Sequence, residues 1–540
     1  MNVKHILIVG GGSAGWMAAA YLDAALNHGE RRTVEISVVE SPDVPRIGVG
    51  EATIPHINHI LDVIGIGRHE FLRRVDGTFK QAIKYVNWLE RDGGYYYHPF
   101  SRFNKVPLDR SSRRWLMSDR SIPYMETVSI QPIVCELGLA PEMLGPRDVG
   151  SPLTYAYHMN ALKFADYLCE LATARGVRHY LDTVTTVEMS GNGDIAAVGT
   201  KSGLRLTADL FIDCSGFNAL LIEKHLGVPW VDCSQWLLCD RAVTMAVPYE
   251  RHYPGAVRPY TTATALSGGW VWEIPLQDKR SLGYVHSSAF ISREDAEREI
   301  RAFEGAHATA LDTRFVHFKV GYRQRSWVRN CVAIGLAGNF IEPLESTGLY
   351  LSDLAAVMLA EHFPYGGDLD VAAFRFNRIL ANRFHEILDF INLHYCLGRR
   401  DDSAFWREVR RPERVCERLR AKLDYWRVKP PSAADFRDQY FPGQPAAPLP
   451  GHAEDGDFRP PIDTGSLFGL HSYEAILYGM QFLAPECDHW YGARRSRPGI
   501  YREVLNSLSA AARTLPPHHL WLQQELGMQR YGGKPAPTGR

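Results

Sequence analysis

Residues 5–16 read HILIVGGGSAGW, an apolar run of β type that leads directly into glycines. The residues that follow are rich in Ala and Leu and predict a helix, and 34–40 predict a second strand that ends in Glu40. A G-x-G-x-x-G pattern lies between the first strand and the helix, on Gly10, Gly12 and Gly15. This order predicts a dinucleotide-binding β-turn-α-β unit, with phosphate at the helix N-terminus and Glu40 on a ribose hydroxyl.

Length and charge indicate a globular chain with small-molecule partners. The 540 residues exceed what one hydrophobic core usually supports, and we expect a core domain over 1–365 and a helical subdomain over 366–540. The formal net charge of −1 argues against a nucleic-acid binder, whose surface would carry a basic excess. The oligomeric state expected is a monomer or a homodimer.

Cysteine usage and hydropathy predict the cellular location. The nine cysteines form no CxxC pair, which indicates reduced thiols and neither a disulfide framework nor a metal site. No apolar run is long enough to span a bilayer, and the apolar start is too short for a signal peptide. We therefore expect a cytoplasmic protein without membrane contact.

Two later segments favour FAD over NAD as the dinucleotide. Residues 209–216 form an apolar strand that leads to a small-residue turn, and residues 330–339 repeat that arrangement. Folds of the flavoprotein hydroxylase type return three times to one flavin in this way. The sequence therefore predicts an α/β fold: a Rossmann-like FAD-binding domain of the flavoprotein monooxygenase type, an antiparallel sheet insertion at about 240–290, and a mainly helical C-terminal subdomain.

Four motifs occur in a distinctive order along the chain. They are GGGSAGW at 10–16, GVGEATIP at 48–55, WVWEIP at 270–275 and PLESTG at 343–348. The glycine turn alone is common, but its combination with WxWxIP and PLEST is specific. Over about residues 1–425 the chain resembles the flavin-dependent halogenases of the tryptophan-halogenase type.

The resemblance implies a reaction and its catalytic residues. In this family reduced FAD, O₂ and chloride or bromide yield a hypohalous acid, which travels through the protein to a lysine. Position in the segment 78–88 matches that lysine to Lys80, which would hydrogen-bond the acid or carry its halogen as a haloamine. Glu345 would orient the lysine and accept the ring proton, and Ser346 would support this geometry. Lys84 belongs to the same pattern, and the spacing of four predicts that it shares a face with Lys80.

Further binding residues follow from the same resemblance. Thr347 and Gly348 match the halide site, and Trp270 with Trp272 would screen the flavin from the substrate, which separates halogenation from hydroxylation. The residues expected to contact non-covalently bound FAD are Gly10, Gly12, Ser13, Ala14, Gly15, Glu40, Gly50, Glu51, Ala52, Thr53, Val184, Gly335 and Leu336.

The expected substrate is a small electron-rich aromatic, such as an indole, held by His98 and Phe100. Free tryptophan is one possibility, because the segment that grips its amino-acid end in the family matches here only in Tyr473-Glu474. One dinucleotide turn and no second one for NAD(P)H implies a separate NAD(P)H flavin reductase. His394-Tyr395 and Trp406 resemble family residues and are interpreted as structural.

Two other functions stay open on sequence. An FAD-dependent aromatic monooxygenase would share the flavin site but would have no use for Lys80 or the tryptophan screen. A catalytically inactive flavin-binding protein would be expected to have lost Lys80, Glu345 and both tryptophans, and all four are present.

Overall fold

A six-stranded sheet forms the centre of the protein in the computed structural model, which describes residues 3–29, 32–46, 48–101, 108–145, 153–364, 366, 368–436, 467–483 and 502–531. The strands are, in spatial order, Trp327–Val328, Cys331–Ala333, Leu210–Asp213, His5–Val9, Glu35–Glu40 and Arg178–Leu181. All neighbours are parallel except Trp327–Val328, which pairs antiparallel at the edge. This sheet confirms the predicted α/β fold of Rossmann-like character.

The helix after the glycine turn, Ser13–Leu26, is almost wholly buried. Its helical neighbours are Ile57–Ile64, Ala161–Ala174 and Gly348–Glu361. The sequence pattern alone predicts a start of the second of these at Met159, but Met159 lies on the strand Ala156–Asn160. The helix starts after Asn160, because that side chain accepts from the backbone N–H groups of the first turn.

A seven-stranded sheet stands beside the first. Its strands are, in spatial order, Thr313–His317, Arg241–Pro248, Lys279–His286, Gly269–Pro275, Thr261–Ala265, Ala82–Val86 and Tyr95–Pro99. The predicted antiparallel insertion at 240–290 is confirmed, with one parallel pair where Thr261–Ala265 meets Ala82–Val86. A small sheet of Gly50–Ala52, Ala156–Asn160 and Thr78–Lys80 connects the motif at 48–55 to Lys80.

The predicted shared face of Lys80 and Lys84 is wrong. The chain changes sheets at Gln81, whose backbone N–H donates to Pro259 O at 2.8 Å. Lys80 therefore ends one strand inside the protein, whereas Lys84 lies on the next strand and pairs with Glu136. Residues two or four positions apart share a face only when they lie on one continuous strand or helix.

The C-terminal third is mainly helical, as predicted. The α-helices described there are Leu369–Cys396, Ala404–Glu408, Glu417–Val428, Leu470–Gly479, Arg502–Thr514 and His518–Leu526. The sequence at 429–461 is crowded with prolines and predicts a long surface loop, which falls largely outside the described residues. Buried residues on both sides of position 365 belong to one hydrophobic cluster. Within the described ranges, none of the helices has the length and apolarity needed to cross a membrane.

The remaining elements are short. Two small sheets consist of Val184–Met189, Ile195–Thr200 and Arg205–Leu206, and of Trp230–Asp232, Gly321–Arg323 and Asn339–Phe340. The other α-helices are Arg68–Arg74, Leu108–Leu116, Tyr124–Val128, Gln131–Glu136 and Arg293–Glu304.

Candidate active site

The glycine turn has a separate physical reason for each glycine of its motif. Gly10 has φ +116°, and a Cβ there would lie 2.2 Å from the carbonyl oxygen of Cys214, which follows the neighbouring strand Leu210–Asp213. A Cβ on Gly15 would lie 2.0 Å from Gly10 O. At Gly12 a Cβ would meet no heavy atom within 4 Å, so this side of the turn is open. Gly10 and Gly15 therefore allow close backbone contacts that a side chain would block. Gly12 leaves space at the helix N-terminus, which fits a dinucleotide phosphate.

The acid at the end of the second strand is fixed by protein donors. Trp16 Nε1 donates to Glu40 Oε2 at 3.1 Å, and Arg46 Nε donates to Oε1 at 2.6 Å. The side chain packs on Gly11, where a Cβ would come within 2.2 Å of its carboxyl carbon. Glu40 is thus oriented beside the turn, and its contact with a ribose stays a prediction.

The predicted returns of the chain meet at the glycine turn. The turn after Leu210–Asp213 contacts Gly10 through Cys214, and a Cβ on Gly335 would lie 2.8 Å from Ala14 Cβ. Leu336 follows in the short 3₁₀ helix Gly335–Ala337. Val184 is half-buried on a small separate sheet and packs against the hydrophobic cluster that includes Val9 and Val39. The three segments with glycine turns therefore form one location, as a single flavin requires.

The strap at 48–55 connects this location to Lys80. Gly50 N donates to Ser281 Oγ at 3.0 Å, and Thr53 N donates to Tyr157 O at 2.9 Å. The carbonyl of Thr53 accepts from Lys80 Nζ at 2.9 Å. Burial raises the pKa of Glu51 on this strap to about 7.

Lys80 is fully buried, with 0% of its surface exposed. Besides Thr53 O, its ammonium donates to Ser346 Oγ at 2.7 Å, and it lies 5.2 Å from the ring centroid of Phe100. Burial lowers the Lys80 pKa from 10.5 to about 7, although the charge of Glu345 opposes this. The amine is therefore poised between its two protonation states near neutral pH.

Glu345 is buried in a set of three donors. Tyr85 OH lies 2.6 Å from Oε1, His394 Nε2 lies 2.8 Å from Oε1, and His98 Nδ1 lies 2.9 Å from Oε2. Burial alone would raise the pKa of this carboxyl, but the attraction and hydrogen bonds of His98 and His394 lower it well below its usual range. The carboxylate stays ionised next to Lys80.

Sequence reasoning missed Tyr85 and His394 at this site. A usable signal exists for His394: it shares the apolar helix face of Phe384, Ile387 and Ile391, and a polar ring on such a face needs a partner. His98 was predicted as a ring contact, and the structure adds its hydrogen bond to Glu345.

The segment after Glu345 has the features of an anion site. Ser346 has φ +58°, a left-handed conformation that is costly for a residue other than glycine. Thr347 is buried and its Oγ1 has no hydrogen-bond partner among the described residues. At Gly348 a Cβ would meet no heavy atom within 4 Å, and the helix Gly348–Glu361 starts here. Free backbone N–H groups and an open position suit a halide.

Trp270 and Trp272 lie on one face of the strand Gly269–Pro275, with 1% and 8% of their surfaces exposed. Their ring centroids are 6.3 Å apart in an edge-to-face arrangement. Neither Nε1 has a hydrogen-bond partner within the described part of the chain. The Trp272 ring covers Gly283, where a Cβ would overlap it.

Known proteins match this chain over almost its whole length. A family model described as tryptophan halogenase matches residues 5–495. The tryptophan 7-halogenase RebH of Lentzea aerocolonigenes is 35% identical over 558 residues, which cover 97% of this chain and 99% of the relative.

Solved structures agree with the sequence matches. A tryptophan halogenase from Shewanella frigidimarina NCIMB 400 superposes with a TM-score of 0.84 at 30% identity, over 97% of this chain and 98% of that chain. Tar14, a tryptophan C-6 flavin-dependent halogenase from taromycin biosynthesis, superposes with a TM-score of 0.83 at 32% identity, over 97% and 99% of the two chains. The resemblance stated from the motifs is confirmed: this chain belongs to the tryptophan halogenase family and is a flavin-dependent halogenase.

Proposed function

We propose that the protein halogenates an electron-rich aromatic compound of the indole type, with Lys80 as the residue that presents the halogen. The observation that carries this proposal is the buried Lys80 ammonium, held by Thr53 O and Ser346 Oγ beside an ionised Glu345. A surface lysine or a purely structural ion pair needs no such arrangement. When bound, reduced FAD supplies hypohalous acid from O₂ and a halide.

The residues that would hold FAD fit that group. They are the open turn at Gly12, the N-terminus of Ser13–Leu26, the strap around Gly50 and Thr53, and the turn at Gly335. Thr347 and Gly348 would bind chloride or bromide through backbone N–H groups. Because FAD is held without a covalent link, we expect a separate NAD(P)H flavin reductase to deliver it reduced.

Lys80 would act on the hypohalous acid at its ammonium or its amine. As an ammonium it donates a hydrogen bond to the oxygen of the acid and makes the halogen more electrophilic. As a neutral amine it displaces water from the acid and carries the halogen on nitrogen. A pKa of about 7 makes both forms available at neutral pH.

Glu345 would accept the proton that the aromatic ring loses after halogen has added. A protonated, halogenated ring is a very strong acid, so even a weak base suffices to take its proton. Three donors keep Glu345 ionised and fixed in orientation, which supplies that base in every cycle.

The proposed contacts of the substrate ring are His98 and Phe100. The centroid of the Phe100 ring lies 5.2 Å from the Lys80 ammonium. The family relatives named above act on tryptophan, and we include tryptophan in the proposed substrate class. Glu474 supports a broader class, because it is fully buried and accepts from Tyr124 OH at 2.7 Å, which is a packing role. We therefore also include indoles without an amino-acid end in the proposed substrate class.

A lysine comparison tests the proposal. Purified protein with a flavin reductase, NADH, FAD and bromide is assayed by mass spectrometry on tryptophan and a set of indoles. Lys80→Ala is expected to abolish bromination while flavin oxidation continues. Lys84→Ala is the matched control, because it removes a nearby lysine that pairs with Glu136. This variant is expected to keep its bromination activity. Bromination by Lys80→Ala at the wild-type rate would refute the role of Lys80.

A further inference from the structure

A hydrogen-bond chain extends from Glu345 away from Lys80, and the roles given so far do not use it. His394 Nε2 lies 2.8 Å from Glu345 Oε1, and on the other side of the ring His394 Nδ1 lies 3.0 Å from Tyr96 OH. His394 has 0% of its surface exposed and Tyr96 has 7%. The chain thus connects the helix Leu369–Cys396 and the strand Tyr95–Pro99 to the catalytic carboxylate.

The protons in this chain follow from the charges of its members. An ionised Glu345 has no proton to give, so Nε2 of His394 must donate. Burial lowers the His394 pKa, more than Glu345 raises it, and the ring is neutral with a single proton. Nδ1 is therefore an acceptor and Tyr96 OH donates to it. Tyr96, by donating to Nδ1, stabilises the one tautomer of His394 that can bind Glu345.

The other groups that face Glu345 come from three elements. Tyr85 donates from the strand Ala82–Val86, His98 from Tyr95–Pro99, and the Lys80 ammonium acts through its charge from Thr78–Lys80. Tyr85 also packs on the His394 ring, with centroids 4.5 Å apart. Among these donors, and within the described residues, only His394 also accepts a side-chain hydrogen bond on its opposite side, from Tyr96 OH.

We propose that Tyr96 and His394 are a positioning pair, which keeps Glu345 ionised and directed toward the ring proton during halogenation. This inference rests on the proposed function, because it gives Glu345 the role of base. Neither residue is among the proposed contacts of substrate or halide, so the pair would act through Glu345. The same carboxylate–imidazole–hydroxyl order orients catalytic groups in other enzymes.

Loss of the pair has a signature that a structural role would not produce. A buried carboxylate that loses one of three donors becomes easier to protonate, so its pKa rises. It also loses the hydrogen bond that helps to direct it toward the ring proton. Because substrate contacts are unchanged, kcat should fall while KM for the aromatic stays the same.

The test uses three variants and three matched controls. His394→Leu removes the donor, His394→Gln keeps an N–H near the Nε2 position, and Tyr96→Phe removes the hydrogen bond to Nδ1 of His394. The controls are the single substitutions His385→Leu, His385→Gln and Tyr322→Phe. His385 lies on the same helix and bonds Tyr322 OH at 3.1 Å, in the same histidine–tyrosine arrangement but without a hydrogen bond to Glu345.

We expect kcat for bromination to fall about 10- to 100-fold in His394→Leu, and less in His394→Gln and Tyr96→Phe. KM for the aromatic should stay at the wild-type value in all three variants, and the His385 series should leave both kcat and KM unchanged. An unchanged kcat in all His394 and Tyr96 variants would overturn the proposal. So would a fall of equal size in kcat in the His385 series.

Folding and the parent proposal are controlled separately. If His394→Leu does not fold or does not bind FAD, then His394→Gln and Tyr96→Phe decide, since both keep the size of the side chain. If Lys80→Ala still brominates, the proposed function fails whatever His394 does. If Lys80→Ala is inactive while the His394 and His385 series behave alike, only the positioning pair is refuted.

Discussion

Replacing Lys80 by Met should make the protein more stable at neutral pH while it abolishes halogenation. The difference between the ordinary pKa of 10.5 and the folded value of about 7, at about 1.4 kcal/mol per pH unit, corresponds to about 5 kcal/mol. Met has a similar length and no charge, so it removes this penalty. It also leaves Thr53 O and Ser346 Oγ without their donor, which costs about 3 kcal/mol in total. About 2 kcal/mol of stabilisation remains.

The sign of the effect depends on pH. Between pH 7 and 10.5 the unfolded lysine holds a proton that the folded one has lost, so wild-type stability rises with pH in this window. At pH 9.5 the penalty is only about 1 kcal/mol. The two lost hydrogen bonds then outweigh it, and Lys80→Met should be less stable than wild type.

Thermal unfolding of the FAD-free proteins at pH 7.0 and 9.5 measures this reversal. A chain of this length gains about 1 °C in Tm per kcal/mol. We expect Tm of Lys80→Met about 2 °C above wild type at pH 7.0 and about 2 °C below it at pH 9.5. Lys84→Met is the matched control for loss of a lysine. A Tm difference for Lys80→Met that is the same at both pH values would refute the burial penalty.

Three further predictions concern the two halves of the site. Gly12→Ala should leave Tm of the FAD-free protein unchanged but weaken FAD binding in a fluorescence titration, because the added Cβ meets no protein atom and faces open space. Gly15→Ala should instead lower Tm, because its Cβ would lie 2.0 Å from Gly10 O. Equal effects of the two substitutions would contradict these roles. Glu345→Gln should lower kcat for halogenation about 100-fold at unchanged flavin oxidation, since an amide is no base for the ring proton; a loss below about threefold would contradict that role. The rate of single-turnover halogenation should change with pH around a midpoint near 7, the pKa of Lys80. The rate should fall toward high pH if the ammonium acts, and rise if the neutral amine acts. A rate that is flat from pH 6 to 8 would contradict both forms of the mechanism.

Local patterns were enough to predict the flavin half of the protein. A strand, a glycine turn and a helix are set by neighbouring residues, and the strand Leu210–Asp213 was predicted with the bounds that the structure has. Motif identity likewise pointed to Lys80 and to the segment Glu345–Gly348. The predicted boundary at residue 365 stays a prediction.

The contacts around Glu345 could not be predicted, because they join distant parts of the chain. Tyr85 and His98 lie 260 and 247 residues from Glu345 in sequence. No periodicity connects such positions, and only the folded sheet brings them together. The error at Lys84 has a related cause, since the change of sheet at Gln81 is invisible to a count along the sequence.

The product of the wild-type enzyme tests the central claim most directly. The reductase-coupled reaction with bromide and an indole is quenched and its products are weighed by mass spectrometry. The account predicts a brominated indole with the twin isotope pattern of bromine. A hydroxylated indole without any brominated product would contradict it, because the same flavin site would then serve a monooxygenase.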